Sequence, residues 1–429
     1  MRAANPVSDE HTLFVVMNGR VVGDINRTGK NKARMRYEDA AADDFTPLSV
    51  SMPGPTGRYR ETVLVPWVEA LLPDRPETLR QWRRRFGVTE QGALALMTHV
   101  GEDVAGAAQF VRPSRLDVVL DRTGEARELT DDDVAEMLRR AKADLPVSLD
   151  DSQTGKFSLA GAQAKIALHR TDSGWTDPHG AIPSTHIIKP AIPGMEDQDL
   201  VEHVTMRTAA TLGLRVARSS VEQFGDTRAV VVRRYDRIQS RTGAWSRLHQ
   251  EDMCQALGVR PSRKYESQGG PGAAVVARLI NEHSTAGDDG DNRRFAQALI
   301  FNWLVCGTDA HARNYSLMLS GSNVALAPLY DLNSHLAHSD GTGIDLSMSV
   351  AGTFRAASVK VEDWTRVADE LFVEAGWIRD EVARLIGQVR DALGDVAKGD
   401  DVATYKSPAV NRLVENTNRW VEQRTRASK

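Results

Sequence analysis

The stretch GTDAHARNYSLMLSGSNVALAPLYDLN, residues 307–333, leaves a chain few ways to fold. Asp309 and Asn314 are five residues apart, too far to share one helix face and suited to a loop that turns back on itself. The apolar run YSLML follows, then a Gly-Ser-Asn turn, then a second apolar run that ends at Tyr330-Asp331. Two short strands joined by a tight turn are expected, and such a hairpin would return Asp331 to the neighbourhood of Asn314.

An amide oxygen beside a carboxylate makes a pair of hard donors, of the kind Mg²⁺ accepts together with substrate phosphates. Asp309, not needed as a ligand, is left to take a proton from a hydroxyl. A base Asp, an Asn shortly after it and a metal-binding Asp beyond the next hairpin is the arrangement of phosphoryl transfer of the protein-kinase type. Loop-forming Asp and Asn residues in ordinary turns would give the same letters.

The order of parts upstream adds weight. THIIKPA puts Lys189 at the end of an apolar strand, and Glu202 falls on the next helix at a spacing that allows an ion pair. SLAGAQAK, residues 158–165, offers backbone N–H groups on Ala160, Gly161, Ala162, Gln163 and Ala164, with Lys165 as a second cation. VVVRRYDR, residues 230–237, supplies a linker between two lobes, with Arg233, Arg234 and Tyr235 at its centre.

The rest of the chain fits around these parts. With 429 residues it exceeds what one small core organises. Residues 1–145 read as an α+β subdomain, opened by a hairpin at Asn18-Gly19 and closed by a helix capped by Thr130. Helices are expected at VLVPWVEALL, PETLRQWRRRFG and EQGALALMTHVGEDVAGAAQFV. Residues 146–245 read as a nucleotide-binding lobe of strand, loop, strand, helix and hairpin, and 246–429 as a helical catalytic lobe. There QEDMCQALG, VKVEDWTRVADELFVEAG and the tail NRLVENTNRWVEQRTRASK read as helices. The formal net charge of −4 carries no overall nucleic-acid signature. Cys254 and Cys306 have no zinc-like spacing and fit a reduced, cytoplasmic setting, and Cys306, among apolar neighbours, reads as a buried thiol. The basic runs RQWRRRFG and GRVVGDINRTGKNKARMRY read as solvated faces, with contact to DNA or an acidic partner as the alternative.

At this point the sequence resembles a known family, the HipA-type serine/threonine kinase toxins of bacterial toxin–antitoxin systems. The likeness is carried by FSLAGAQAKIAL, PSTHIIKP, VVRRYDR, HQEDMCQALG, KYESQGGPG, NWLVCGTDAHARNYSLML and PLYDL, with MNGRVVGDI and PLSVSMP near the start. The resemblance implies a protein-kinase-like two-lobed α+β fold. It makes Asp309 the catalytic base, Asn314 and Asp331 the Mg²⁺ ligands and Lys189 an ATP-phosphate contact. The 160–165 loop would cover the phosphates, His311 would lie beside them, and the backbone of Arg233, Arg234 and Tyr235 would meet adenine. Ser158 matches the family's autophosphorylated serine, whose modification ejects the phosphate-binding loop.

The family pattern also implies ATP and Mg²⁺ as cofactors and a small HipB-like DNA-binding antitoxin, with DNA reached only through it. The implied substrate is a translation-related protein such as an aminoacyl-tRNA synthetase, phosphorylated on serine. Ala164 stands where the family commonly has Glu, Arg233 where it commonly has Glu, and Leu332-Asn333 follows the metal Asp in place of Phe-Gly. None of these removes a catalytic group. A small-molecule or lipid kinase, or a catalytically silent co-repressor scaffold, are the competing readings.

Overall fold

The computed structural model describes residues 11–29, 32–38, 45–54, 57–90, 92–145, 147, 158, 160–287 and 290–427. Helix and sheet are mixed throughout, as an α+β chain requires. Internal contacts divide the chain into two compact units. The first holds Met1–Ile188, Arg234–Ser262 and Met318–Asn323, the second Lys189–Arg233, Arg263–Leu317 and Val324–Lys429. Among the described residues no helix is long and apolar enough to cross a membrane.

In the first unit, strands β1 (Thr12–Met17) and β2 (Arg20–Gly29) meet at Asn18-Gly19. Both turn residues have positive φ, 50° and 81°, the backbone that a type I′ turn demands. In β3 (Lys32–Tyr37) exposed charged residues alternate with buried Ala33, Met35 and Tyr37, the period of a strand with one wet face. With β4 (Arg58–Arg60) and β5 (Ala108–Val111) these form a sheet in the order β4-β3-β2-β1-β5. Helices α1 (Glu61–Glu69), α2 (Pro76–Arg85) and α3 (Ala93–Val100) cover it, around a core that includes Leu13, Met35, Leu64, Trp67, Leu96 and Phe110.

The run EQGALALMTHVGEDVAGAAQFV departs from its helical reading. The helix stops at Val100, and Ala108–Val111 pairs antiparallel with β1, from Phe14↔Val111 to Met17↔Ala108. A short apolar run suits an interior strand as well as a buried helix, and here the partner strand decides. Gly106 makes the change of direction at φ 81°. A Cβ there would lie 2.8 Å from the Gln250 carbonyl oxygen, so only glycine fits.

A second sheet in this unit runs β6 (Ala126–Leu129), β8 (Gly174–Pro178), β7 (Ile166–Thr171) and β9 (His186–Pro190), each pair antiparallel. The last two residues of β9 belong to the second unit. Helix α4 (Asp131–Lys142) starts on the expected cap: Thr130 Oγ1 accepts from the Asp133 N–H, and the Asp133 carboxylate accepts from the Thr130 N–H. The strand expected before the SLAGAQAK loop falls largely on residues 155–157, outside the described residues, and Ser158 and Ala160 are irregular.

Five buried charges lock the interior of this unit. Asp103 pairs with Arg237 at 2.9 Å and with Arg247 at 3.5 Å, and Arg234 and Arg237 each pair with Asp236 at 2.9 Å. Burial alone would raise the Asp103 pKa, but the guanidinium groups of Arg237, Arg234 and Arg247 outweigh it and hold it at about 2. Removing one member of such a network typically costs about 3–5 kcal/mol.

In the second unit, α5 (Gln198–Thr211) precedes a hairpin of β10 (Ser219–Phe224) and β11 (Thr227–Arg233), in register from Ser219↔Val232 to Phe224↔Thr227. Arg228 on the hairpin reaches the Asp199 carboxylate at 2.7 Å, which holds hairpin and helix together. Helices α6 (Ala273–His283), α7 (Gly290–Leu304), α8 (Ala375–Lys398) and α9 (Pro408–Ala427) make up the rest. The tail helix docks on α7: Trp420 Nε1 donates to the Trp303 carbonyl at 3.1 Å, and both rings are buried. Both cysteines are buried thiols.

Two helical readings shorten. VKVEDWTRVADELFVEAG is helical over Val361–Arg366, then turns before α8 begins at Ala375, with Phe372 at φ 56° and the Val373 N–H donating back to the Ala368 carbonyl. The break between the two helices passes through a left-handed residue that is not glycine, so the sequence gives no warning of it. In QEDMCQALG, His249–Asp252 is strand and only Met253–Ala256 is helical, opened by a reciprocal Asp252–Gln255 cap.

Candidate active site

Helix α7 ends at Leu304, and the chain turns sharply through Cys306 at φ 49°. The Gly307 N–H donates to the Asn302 carbonyl at 2.7 Å. A Cβ on Gly307 would lie 2.3 Å from the Asn302 side-chain oxygen, so the helix can release the loop this tightly only at glycine. The loop then folds on itself. The His311 N–H donates to the Asp309 carbonyl and the Asn314 N–H to the His311 carbonyl, both at 2.9 Å. The Asn314 side-chain amide also donates to the Asp309 carbonyl.

The expected hairpin follows as β12 (Ser316–Ser320) and β13 (Asn323–Leu326), its base closed by the Ala327 N–H donating to Ser316 O at 2.8 Å. Tyr330 Oη donates to the Arg313 carbonyl at 2.8 Å, which pins the returning chain to the loop. Asp309, Asn314, Tyr330 and Asp331 consequently line one small concavity. Asp331 has φ 57°, a left-handed conformation rare for a residue with a side chain.

Lys189 joins this group through its charge. Its ammonium donates to Asp331 Oδ1 and to Glu202 Oε1, each at 2.7 Å. Burial disfavours the ammonium, but Asp331 and Glu202 outweigh it and raise the pKa above that of a free lysine. The expected pairing of Lys189 with a helix Glu is therefore present, and its second partner is the Asp331 carboxylate, in the same unit.

His311 is buried beside the loop, with Nε2 3.6 Å from Asp309 Oδ1. Burial pushes its pKa down to about 4 although Asp309 pulls it the other way, so the ring is neutral at pH 7. The Asp309 side chain is 56% exposed, open enough to meet an incoming hydroxyl.

The donor set also bears on a metal. The Asn314 amide nitrogen donates to the Asp309 carbonyl, and Asn314 and Asp331 line the same concavity. Among the described residues no cluster of three or more His, Cys, Asp or Glu occurs that would cage a metal. One amide and one carboxylate fit Mg²⁺, which keeps waters and takes substrate phosphates, better than a cation that needs a full protein cage.

The remaining sequence candidates lie in the first unit, with one exception. Ala160, Gly161, Ala162, Gln163, Ala164 and Lys165 form an irregular loop in which Lys165 Nζ donates to the Ala160 carbonyl at 2.6 Å and Gly161 has φ 104°. Gly161 also accepts from the Asp74 N–H at 3.2 Å, which ties the loop to the start of α2. Ser158 is fully buried; its hydroxyl donates to the Leu71 carbonyl at 2.7 Å and its N–H to the Asp103 carbonyl at 3.0 Å. Arg234 and Tyr235 open the first unit's stretch Arg234–Ser262, and Arg233 is the last residue of its stretch of the second unit. The Arg234 side chain belongs to the buried network around Asp103 and Asp236, and Tyr235 Oη hydrogen-bonds Gln250.

One residue at the site was not assigned from the sequence. Tyr265 Oη donates to Asp309 Oδ1 at 2.7 Å. Its signal was present in KYESQGGPG, a stretch with a lysine, an aromatic and a carboxylate together, but nothing local says what such a triplet touches.

Comparison with known proteins places the chain. Residues 157–396 match the HipA-like C-terminal domain and residues 13–111 the HipA N-terminal domain. The candidate kinase Y4mE of Sinorhizobium fredii is 31% identical over 412 residues, covering 94% of this chain and 96% of that protein. The serine/threonine-protein kinase toxin HipA of Shewanella oneidensis is 28% identical over 388 residues, covering 83% of this chain and 85% of that one. A solved structure of the Shewanella oneidensis MR-1 toxin–antitoxin system, with HipA, HipB and operator DNA, contains a chain of the same fold. The TM-score is 0.78 at 23% identity, over 96% of this chain and 98% of that one. With both HipA domains matched in order, and a relative aligned along nearly its whole length, the chain belongs to the HipA family of serine/threonine kinase toxins.

Proposed function

We propose that this chain transfers the γ-phosphoryl group of Mg²⁺-bound ATP to a serine of a translation-related protein such as an aminoacyl-tRNA synthetase. The observation that carries the reading is Lys189 held between Glu202 and Asp331, in the same unit as the Asp309–Asn314 loop. Asp309 accepts the proton of the acceptor hydroxyl as the oxygen–phosphorus bond forms and ADP leaves. Lys189 turns toward the nucleotide phosphates while Glu202 keeps its position. Asn314 and Asp331 hold Mg²⁺, which when bound offsets charge on the phosphate oxygens. Lys165 and the backbone of 160–164 cover the phosphates, and the backbone of Arg233 to Tyr235 receives adenine. Neutral His311 stays beside the loop without adding charge.

Ser158 is the proposed autophosphorylation site, and its surroundings support a switch. Its hydroxyl donates to a carbonyl oxygen in a fully buried place. A phosphoserine presents only acceptor oxygens and nearly two negative charges, and both are unfavourable against that carbonyl. Phosphorylation would thus release the segment and, with it, the loop at 160–165. The proposed partner is a HipB-like DNA-binding antitoxin, on the analogy of the HipA relative solved with HipB and operator DNA. A net charge of −4 fits contact with DNA only through such a partner.

Phosphoproteomics of cells after brief induction tests the reading. The parent should add phosphoserine to a translation factor, and Asp309→Gln should not. Equal phosphoproteomes, with phosphate instead appearing on a small molecule in vitro, would favour the small-molecule kinase.

A further inference from the structure

The loop that carries Asp309 is braced from outside by the KYE segment. The Ala312 N–H donates to the Lys264 carbonyl at 3.4 Å. Glu266 accepts from the Ser349 N–H at 2.7 Å and from the Ser349 hydroxyl at 2.8 Å, which anchors the segment to the strand Asp345–Val350. Ser347, on that same strand, donates through its hydroxyl to the Thr308 carbonyl. Between these two anchors Tyr265 extends over the loop. Its ring meets His311 edge to face at 4.9 Å, and its hydroxyl reaches Asp309 Oδ1 at 2.7 Å.

We infer that Tyr265 is a positioning residue for the phosphoryl-transfer step: its hydroxyl fixes the Asp309 carboxylate in the orientation that receives the acceptor proton. The inference rests on the kinase reading above. Asp309 is 56% exposed, and a side chain so open has rotamer freedom that a base cannot use. Tyr265 and His311 both approach Oδ1. Oδ1 is therefore held, and a carboxylate, with about four lone-pair sites, keeps others to receive the acceptor proton. Displacing a base by an ångström or so costs on the order of 100-fold in rate.

The test uses the full chain with Mg²⁺–ATP, measuring phosphate released to water and phosphate gained by the chain, for the parent, Tyr265→Phe, Tyr265→Ala, Asp309→Asn and the Tyr265→Phe/Asp309→Asn pair. Phe keeps the ring on His311 and removes only the hydroxyl. The expected result is a fall in kcat of about 10- to 100-fold for Phe and Ala alike, with KM for ATP unchanged. Phe should add nothing in the Asp309→Asn background, because the hydroxyl acts through that carboxylate. If Phe matches the parent while Ala falls, the residue only packs and the inference is overturned. A faster Phe variant overturns it too, since the hydroxyl would then be blocking the acceptor's place. A parent that transfers no phosphate at all brings down the kinase reading and this inference together. A working parent with an unaffected Phe variant brings down the inference alone.

Discussion

The ammonium of Lys189 lies 2.7 Å from the carboxylate of Glu202, and Glu202 is wholly buried. A charge sealed in this way cannot fall back on water when its partner is removed. Lys189→Met should therefore destabilise the second unit by about 3–5 kcal/mol, read as a lower Tm or urea midpoint. Adding Glu202→Gln should recover much of that loss, while phosphoryl transfer stays abolished in both. Because the folded-state pKa of Lys189 is raised from 10.5, the contribution of its ammonium is complete below pH 10.5 and is lost only as pH rises further. No pH dependence from the Lys189 ammonium is expected near neutrality.

Ser158 gives a prediction that separates burial from charge. Ser158→Ala removes one hydrogen bond to the Leu71 carbonyl and should cost about 1 kcal/mol. Ser158→Asp instead places an acceptor-only group against that carbonyl. Hydrogen exchange at 71–74 and 160–165 should be close to the parent for Ala and much faster for Asp. Parent-like exchange in the Asp variant would remove the proposed switch.

Glu251 predicts a pH effect of a definite sign. It is fully buried in the first unit, accepting from the Val50 N–H at 2.8 Å and from Trp67 Nε1 at 2.9 Å. Burial pushes its carboxyl up to about 7, against the pull of these donors. A carboxyl raised in the folded state contributes stability fully below pH 4.5 and loses it as pH rises through about 7. Relative to Glu251→Gln, the parent should lose roughly 3 kcal/mol of stability between pH 4.5 and 8 in urea titrations. His249, held down at about 4 chiefly by burial, has the opposite sign, losing its contribution as pH falls from 6.5 through about 4. That effect is common to both proteins and drops out of the difference.

Much of the candidate site was legible because its parts follow one another in sequence and each is short. Asp309, Asn314 and Asp331 are joined by one hairpin, so local turn chemistry suffices to bring them together. The Lys189–Glu202 pair is one strand end and the helix that follows, again a local step. Tyr265 is different. It lies 44 residues from Asp309, and only tertiary folding makes them neighbours. The network of Asp103, Arg234, Asp236, Arg237 and Arg247 was hidden for the same reason. The RRYDR run read as a linker working through its backbone, yet Arg234, Asp236 and Arg237 are buried ion pairs whose remote partner, Asp103, follows α3.

The fold shows the same division between local and remote. The Asn18-Gly19 turn and the Thr130 cap declare themselves, since each needs particular residues at one place. β5 read as helix because AQFV has no alternation to mark it as a strand; its pairing with β1 lies about ninety residues upstream, and that partner alone settles the matter. The break after Arg366 passes through Phe372, a left-handed residue that is neither Gly nor Asn, and residue type carries no sign of that.

The central claim is that Asp309, Asn314, Asp331 and Lys189 form a phosphoryl-transfer site. Intact-mass spectrometry of dephosphorylated protein incubated with Mg²⁺–ATP tests it most directly, beside Asp309→Gln and Ser158→Ala. The account predicts the gain of one phosphate in the parent and none in either variant. A parent that binds ATP yet gains no phosphate, or an Asp309→Gln protein that gains it as fast as the parent, would contradict the account.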